Sequence, residues 1–599
     1  MPSRTPLLLA LVTAIAAMLA GCGGSSSSGP APIHVDPVAG ACSRPEAGSV
    51  VQNPPALVSH NGELTVNLSY QTTVDSDGRA LFCFMTPDGL ENPTLTVNPG
   101  DHLRINITNN TPATAAVERL DPPNCGAINQ TGSSLNVHLH GTNTSPKCRS
   151  DNVVRTLINS GNSFGYDFHF PKDEPPGLYW FHPHVHMLVE SALLGGGSGV
   201  IVVQGLEKFQ PAVAGLRQQV LVIRDQNVAG NPTPGGNVPS WDLTLNNIPI
   251  AYPSEVPAVI QVQPGERQLW RVSNNAADTI IDLQVQYDGV PQTLGIVALD
   301  GVPTGSQDGT RQGNIVNATD ILVSNGARAE FIVTAPSSAV TDARLMTLAV
   351  NTGPDGDNDP QRTLATIQTA AGNAQSASST TRLPAATGGA WKERFSGLAI
   401  ATPNTARTLY FSENNPESQF FITVDGATPA LFDPNNPPAI VTTQGSVEDW
   451  TIQNRSLENH IFHIHQVHFL VLSQDNFEIN GSEPAGFIEG QLLDTIEVPF
   501  WDGNPDHPYP SVKVRLDFRG ADIGNFVYHC HIAEHEDDGM MAVIRVEPSS
   551  MAAMFDRLRI GLESIGWFGA PNAAASAWCV RGRPATRPSG RGPRARNKE

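Results

Sequence analysis

Long segments with helical periodicity are absent from this chain of 599 residues, and only 16% of its residues are charged. Instead, short apolar runs rich in β-branched residues, for example at 199–203 and 541–546, alternate with turns that use 54 glycines and 49 prolines. Such runs between turn residues are typical of β-sandwiches, which use about 100 to 150 residues each. The pattern predicts an all-β chain of three β-sandwich domains with additional terminal segments.

Positive charge is scarce outside the last 50 residues. The formal net charge is −21, and positions 550–599 hold nine Arg or Lys and three Asp or Glu, so residues 1–549 carry −27 (−21 − 6). An acidic body argues against nucleic acid as a partner. The basic tail, 549–599, is rich in Arg, Gly and Pro and has the composition of a disordered segment. It is either an arm that contacts anionic surfaces or a dispensable extension.

One apolar run stands near the start of the chain, from residue 7 to residue 19, and it is too short for an ordinary transmembrane helix. Arg4 precedes it and the sequence Leu-Ala-Gly-Cys ends it at Cys22, which predicts a secretory signal over residues 1–22. These four residues resemble a bacterial lipobox, in which the cysteine is lipidated; a plain signal with an incidental cysteine is the alternative. Residues 23–45 would then form a Gly/Ser-rich tether. We therefore expect an exported protein of the periplasm or cell envelope, anchored to the outer membrane through Cys22.

Cysteine is also rare, with seven residues in the chain. In an oxidising compartment, cysteines without another role are expected to pair. Cys125 and Cys148 bracket a His-x-His pair, so a bridge between them would fix the loop that follows that pair. Cys42 with Cys83 is the pairing that remains, and Cys579 is left over in the tail.

Cys530 lies in the sequence His-Cys-His-Ile-Ala-Glu-His (529–535), and Met540 follows it by ten positions. A thiolate, an imidazole and a distant thioether form the ligand set of blue-copper sites. Because neighbouring side chains of a strand point to opposite faces, His529 and His531 would lie on the other side from Cys530. The pattern therefore predicts a copper at the cysteine, linked through a few covalent bonds to a second metal site.

Histidines for that second site occur in three further clusters, at 138–140, 182–184 and 460–465. Among 17 histidines, chance predicts about half a His-x-His pair, whereas five pairs are present. A structural or surface role would explain a single pair. It does not explain four clusters that contain ten of the 17 histidines.

The four clusters resemble those of the multicopper oxidases, the family of laccases, ascorbate oxidase and bilirubin oxidase. The resemblance extends from about Thr94 to Val546. It implies three cupredoxin-like Greek-key β-sandwich domains that couple one-electron oxidation of a substrate to four-electron reduction of O2 to water. It also implies four copper ions, one of type 1, one of type 2 and two of type 3.

The resemblance assigns twelve ligands to these ions. The implied type 1 ligands are His460, Cys530, His535 and Met540. The implied type 2 ligands are His138 and His463. The implied type 3 ligands are His140, His182 and His531 on one ion, and His184, His465 and His529 on the other.

Two acidic residues stand where the family keeps proton-relay acids. Asp151 follows the first His-x-His pair by eleven positions, and Glu536 directly follows an implied type 1 histidine. Asp537 and Asp538 are rivals to Glu536. For each of these residues, a solvated acidic loop is the alternative interpretation.

Two further histidines are close to the clusters in sequence. His186 continues the alternation of the second cluster, and His468 follows the third cluster by three positions. The family pattern has no place for either, so we expect them to be supporting or solvent-facing groups. Met187 is a modest departure from the family, because related bacterial sequences often have glycine there.

The clusters divide the body of the chain into three predicted domains, at 46–206, 217–369 and 393–548, with a linker at 370–392. The second domain contains no histidine, which predicts a copper-free spacer or a wall on the substrate side. Because the implied type 2 and type 3 ligands come from the first and third domains, their site must lie at the interface of those domains.

Three functions are compatible with these patterns. A laccase-like oxidase that acts on phenolic or similar organic substrates leads, and a metal-ion oxidase for Cu(I) or Mn(II) in periplasmic metal tolerance is the alternative. The nine methionines form no cluster beyond positions 540–541, which speaks against a thioether-rich Cu(I) site. A non-enzymatic cupredoxin scaffold is disfavoured by the complete ligand set. The expected partners are O2 and a small-molecule or metal-ion reductant, and a monomer is expected.

Overall fold

The computed structural model describes residues 40–306, 313–369, 393–414, 418–478, 486–520 and 523–549. Its regular elements are almost all strands, which confirms the predicted all-β class. The described helices are short: α1 (Val189–Leu194), α2 (Leu206–Phe209), α3 (Ala533–Asp537) and a 3₁₀ turn (Pro211–Val213). None of them is long and apolar enough to cross a bilayer. The predicted signal, most of the tether, the linker and the tail, with Cys22 and Cys579, lie outside the described residues.

Two facing sheets form in the first part of the chain. The first inner sheet contains, in spatial order, β1 (Ala56–Val58), β4 (Thr94–Val97), β13 (Gly199–Val203), β12 (Leu178–His182) and β9 (His138–His140). The first outer sheet contains β11 (Ser163–His169), β5 (His102–Asn109), β2 (Glu63–Val74) and β3 (Ala80–Met85). Two small ribbons join β7 (Cys125–Gly126) to β10 (Thr156–Leu157) and β6 (Ala116–Arg119) to β8 (Asn129–Thr131). Alternating apolar side chains of both sheets, such as Ile105 and Phe181, fill the core between them.

The middle part of the chain forms a second pair of sheets. One contains β16 (Ile248–Ile250), β15 (Trp241–Leu245), β14 (Arg217–Asn227), β18 (Arg267–Asn274), β25 (Arg328–Thr334), β21 (Leu294–Leu299) and β22 (Val302–Pro303), with β23 (Val316–Ala318) beside β21. The other contains β17 (Ala258–Val262), β27 (Arg362–Thr369), β26 (Ala343–Leu348), β19 (Ile281–Tyr287) and β20 (Val290–Pro291), with β24 (Asp320–Val323) beside β19. This part positions side chains against the histidine clusters, as described below.

The last part forms a third pair. Its larger sheet contains β29 (Gln419–Val424), β28 (Thr405–Asn414), β31 (Val447–Asn454), β36 (Ser511–Asp517), β33 (Phe469–Asp475) and β34 (Leu492–Leu493). Its smaller sheet contains β30 (Ile440–Thr443), β38 (Met541–Glu547), β37 (Gly524–Cys530), β32 (His460–Ile464) and β35 (Thr495–Val498). The sheets of the three parts fall inside the predicted domain ranges, while the boundaries themselves remain predictions.

Strand register brings the histidine clusters into alignment. In the first inner sheet, His138 of β9 lies opposite His182 of β12. In the last part, His463 of β32 lies opposite His529 of β37. An apolar cluster that includes Trp180, Val222 and Ala533 joins all three parts of the chain. Paired strands therefore fix His138, His182, His463 and His529, while His184, His465 and His531 lie just beyond the ends of such strands.

Both predicted disulfides are present. Cys125 is bonded to Cys148, and Cys42 is bonded to Cys83. Among the described cysteines, Cys530 alone is free, and it is buried. The first bridge ties the loop after β9 to the short strand β7, as its position around the first histidine pair predicted.

Candidate metal centres

Cys530, the last residue of β37, shares a buried cluster with two imidazoles. Its Sγ lies 3.6 Å from Nδ1 of His460 and 3.7 Å from Nδ1 of His535, and these two nitrogens are 3.1 Å apart. Met540 is fully buried, and its carbonyl oxygen accepts a hydrogen bond from the Cys530 amide at 3.0 Å. The four predicted type 1 residues thus lie together, and we call them the thiol cluster.

Local structure explains how these residues meet. β32 and β37 pair with Phe462 opposite Cys530, which places His460, at the start of β32, near the sulfur. α3 then reverses the chain, and Gly539 takes a left-handed conformation (φ 112°) that a residue with a side chain rarely adopts. This turn allows the Met540 amide to donate a hydrogen bond to the His535 carbonyl at 2.9 Å.

A second cluster contains the other eight predicted histidine ligands, all of which are buried. We call it the eight-histidine cluster, and its members are His138, His140, His182, His184, His463, His465, His529 and His531. The Nε2 atoms of His184, His465 and His529 lie 3.1 to 3.3 Å from one another. These three rings, from three different strands or loops, are one of the predicted type 3 ligand sets.

Unsatisfied ring nitrogens mark the rest of this cluster. In the five rings outside the His184, His465 and His529 set, the buried nitrogens without a hydrogen-bond partner are Nε2 of His138, His182 and His463, Nδ1 of His140 and both nitrogens of His531. Each such atom costs about 1 to 3 kcal/mol unless a ligand compensates it. These nitrogens belong to the predicted type 2 pair and the other predicted type 3 set. Burial lowers the pKa of all five imidazoles, so they are neutral lone-pair donors, as copper requires.

Asp151 holds the outer side of a predicted type 2 ligand. Both of its carboxylate oxygens lie 3.0 Å from Nδ1 of His138, and one accepts a hydrogen bond from Gln466 Nε2 at 2.6 Å. Burial raises the pKa of this carboxyl well above its ordinary value. Asp151 is therefore a buried group in contact with the eight-histidine cluster, not a solvated loop residue.

Glu536 holds the opposite edge of the same cluster. Its carboxylate lies 3.1 Å from Nδ1 of His529 and 3.4 Å from Nδ1 of His184. Burial alone would raise the pKa of Glu536, but the two imidazoles outweigh it and lower that pKa below its ordinary value. The rivals lie elsewhere: Asp537 accepts a hydrogen bond from the Glu190 amide, and Asp538 is exposed at the end of α3.

Sequence reasoning missed Asp494, which joins all three parts of the chain. Its carboxylate lies 3.1 Å from His140 Nε2 and makes a bidentate contact with Arg328 at 2.8 and 2.5 Å. A Cβ at Gly141 would collide with Arg328 and Asp494, which explains the glycine that follows the first histidine pair. Asp494 follows a two-residue strand and belongs to no motif, and Arg328 comes from the part that contains no histidine. Neither residue carried a sequence signal.

The two extra histidines are not among the clustered rings. His468 is buried, and its Nε2 lies 2.9 Å from the carbonyl oxygen of Asp300 and 3.5 Å from Asp494. His186 is partly buried and packs edge-on against Phe432. Met187 is half-exposed beside it, with a left-handed backbone (φ 69°). His468 therefore supports the site from behind, and His186 lies at its margin.

An acidic cavity of 210 Å³ reaches the thiol cluster at His535. His535 is 4% exposed, whereas His460 is completely buried. Among the described residues, no Lys or Arg lines the cavity. Five carboxylates contribute to its wall: Asp278, Asp355, Asp357, Glu458 and Glu534. One oxygen of Asp278 is buried there without a hydrogen-bond partner. Burial raises the pKa of Asp278 well above its ordinary value, that of Glu458 to about 7 and that of Glu534 as well, so the cavity is acidic but only partly ionised at pH 7.

Comparison with known proteins shows which proteins carry similar clusters. Two multicopper oxidase family models match residues 125–208 and 401–550, the segments that carry the histidine clusters. Among curated proteins, the multicopper oxidase of Staphylococcus haemolyticus is 23% identical, with 76% of this chain and 81% of that protein covered. The laccase of Bacillus subtilis is 22% identical, with 75% and 87% covered.

Solved structures agree on the fold. A variant of the multicopper oxidase McoA from Aquifex aeolicus superposes with a TM-score of 0.60 at 17% identity, covering 84% of this chain and 100% of that one. A Campylobacter jejuni multicopper oxidase described as a metallo-oxidase gives 0.58 at 19% identity, covering 87% and 98%. The architecture is accordingly the cupredoxin-type β-sandwich that the sequence predicted. The chain is thus similar to multicopper oxidases in the two segments that carry the histidine clusters and in its overall fold, and these similarities indicate an oxidoreductase that uses O2 as the electron acceptor.

Proposed function

We propose that this chain is a four-copper oxidase whose ions occupy the two clusters described above. His460, Cys530, His535 and Met540 would hold the type 1 copper. The unsatisfied nitrogens of His138 and His463 would hold the type 2 copper, and the two remaining histidine triplets would hold the type 3 pair. The observation that supports this assignment is that all eight histidines are buried around one cluster, where several of their ring nitrogens have no hydrogen-bond partner.

Bound copper supplies one-electron redox chemistry and the centre at which O2 is reduced. The protein contributes the connection and the protons. Cys530 is covalently adjacent to His529 and His531, which belong to the other cluster, so a short bonded path joins the two clusters. Asp151 and Glu536, each in contact with an outer ring nitrogen, are positioned to hold and deliver protons there.

For the reductant, we propose a small cation, with a low-valent metal ion as the leading class. The single observation that supports this choice is the acidic cavity at His535. Two unit charges 4 Å apart interact by about 1 kcal/mol in water and by about 4 kcal/mol near a protein surface. The ionised carboxylates of this cavity therefore favour a cation over a neutral phenol, which reverses the order suggested by the sequence.

Steady-state kinetics on copper-loaded protein would test the choice of reductant. Fe(II), Mn(II), Cu(I), a protonated aromatic amine and a neutral phenol are compared at one ionic strength. Asp355→Asn and Asp357→Asn should each raise KM for the preferred cation at least about fivefold, the equivalent of about 1 kcal/mol. The same variants should leave KM for the phenol unchanged.

A matched control removes a carboxylate far from the cavity, for example Asp320→Asn on β24. A phenol that is oxidised faster than every cation, with no response to the cavity variants, would refute the cationic reductant. That outcome would leave the four-copper oxidase intact and restore the laccase-like function. If the copper-loaded wild type consumed no O2 with any of these reductants, the proposed oxidase activity itself would be refuted.

We further propose export and lipid anchoring through Cys22, with the protein as a monomer. The support is the sequence Leu-Ala-Gly-Cys after a short apolar run. Cys22→Ala should move the protein out of the detergent-extracted membrane fraction or block its processing. A wild-type protein that is already found in the soluble fraction would contradict the anchor.

A further inference from the structure

Two exposed histidines form a cross-strand pair on the first outer sheet. His102 begins β5, His169 ends β11, and the two residues are register partners. Their neighbours Leu103 and Phe168 are fully buried in the core. Because side chains alternate along a strand, both imidazoles project away from the core into solvent. The four members of the eight-histidine cluster that come from this sandwich lie in its inner sheet or just after it, so the pair on the outer sheet is separate from that cluster.

One ring nitrogen of each histidine points to the other ring. His169 Nδ1 lies 3.0 Å from His102 Nε2, and the ring centroids are 4.4 Å apart. Imidazole nitrogens bind transition metals at about 2.0 to 2.1 Å, so two nitrogens at this separation would subtend an angle of about 94° at a shared ion. Adjacent positions of a square or octahedral complex have this angle, whereas tetrahedral zinc requires a wider one. The geometry therefore suits Cu(II) or Ni(II).

A carboxylate already orients one of the rings. Asp167 Oδ1 lies 3.0 Å from His102 Nδ1, which favours the tautomer with the proton on Nδ1 and the lone pair on Nε2. Arg104 lies 3.5 Å from the other oxygen of Asp167 and pairs with Glu63 at 2.5 Å, which holds the carboxylate in place. A carboxylate behind a histidine is the usual outer support of a metal-ligating imidazole.

We propose that His102 and His169 form a surface site for one divalent transition-metal ion of the Cu(II) or Ni(II) class. Asp167 is the outer carboxylate of this site, and water fills the remaining coordination positions. The side chains of His102 and Asp167 are 40% and 47% exposed, so both the ion and its water ligands can reach the site. The site does not depend on the proposed oxidase function, because it shares no residue with either cluster.

Isothermal titration with NiCl2 tests this site on the copper-loaded full chain, after a weak chelator has removed copper from the surface; nickel is not oxidised by the enzyme during the measurement. We expect one Ni(II) per chain to be bound by this pair. His102→Ala and His169→Ala should each weaken that binding at least tenfold. Asp167→Asn should weaken it by about 10- to 100-fold, the range typical of outer-shell partners.

His507→Ala is the matched control. His507 is exposed and its Nδ1 lies 2.5 Å from Asp502, but no second imidazole lies beside it in the described structure. This variant should keep the wild-type nickel affinity. All variants should keep the blue absorption band and the wild-type rate of O2 consumption, which verifies that they fold and that the oxidase is untouched.

The competing explanation is a direct hydrogen bond between the two rings with no metal. It predicts that nickel uptake is the same in the wild type and in His169→Ala, or that the wild type takes up none at millimolar concentrations. Either result would overturn the proposed site. A nickel-dependent rise in the unfolding temperature of the wild type that is absent from His169→Ala would support it.

Discussion

Asp494 provides a sharp test of how the eight-histidine cluster is held. Its carboxylate contacts His140 from the first part of the chain and Arg328 from the middle part, and all three side chains are fully buried. Asp494→Asn keeps the shape of the side chain and removes its charge. We expect two effects: loss of stability and weaker copper binding in the eight-histidine cluster.

The size of the stability loss follows from burial. Removing one partner of a buried ion pair costs about 3 to 5 kcal/mol, because the other charge remains uncompensated. Arg328 retains a second carboxylate, Asp300, at 3.6 Å, and burial together with Asp494 raises the pKa of Asp300 to about 7. Without Asp494, that pKa falls and Asp300 ionises more fully. We therefore expect the lower end of the range, about 3 kcal/mol.

Denaturant unfolding and copper analysis measure the two effects. Because outer partners of metal ligands contribute about 10- to 100-fold to metal affinity, Asp494→Asn should lose copper from the eight-histidine cluster during dialysis against a weak chelator. The blue band of the thiol cluster should remain. Asp425→Asn is the control, because Asp425 pairs with Arg455 at the surface and its loss should cost at most about 1 kcal/mol. Equal stability and equal copper content in the two variants would refute the argument.

Three further predictions concern the proposed centres. Asp151→Asn and Glu536→Gln should keep the blue band and the anaerobic reduction of the thiol cluster. Reoxidation of that cluster by O2 should slow, which lowers turnover about 10²- to 10⁴-fold. Normal turnover in both variants would show that these acids deliver no protons. Cys530→Ser should remove the blue band and all oxidase activity while the chain still folds, whereas Met540→Leu should keep the colour and raise the redox potential, as a spectroelectrochemical titration would reveal. Removal of copper should lower the unfolding temperature, and a copper-free protein as stable as the loaded one would contradict the role assigned to the unsatisfied nitrogens.

Much of the centre could be predicted from sequence because its ligands occur in short motifs. Within the 529–535 motif, alternation along a strand sends Cys530 and His529 to different clusters, and the structure places them so. The pairing of Cys125 with Cys148 was similarly predictable, because the two residues bracket one motif. In each case, covalent spacing and strand geometry alone limit where the side chains can lie.

The sequence by itself thus determined the all-β class, the copper-ligand motifs and the resemblance to multicopper oxidases. Only the tertiary structure decided that Asp494 meets Arg328 and His140, and that Asp278, Asp357 and Glu458 face His535 across one cavity. These residues are far apart in the chain and belong to no motif, so nothing local distinguishes them from other acidic residues. Their roles arise because packing brings distant strands together and removes water, and burial then strengthens each charge interaction. The physical reason is that a residue's ability to bind copper depends on its own side chain and its close neighbours in sequence. The charge around a ligand depends instead on which distant residues the folded chain packs beside it.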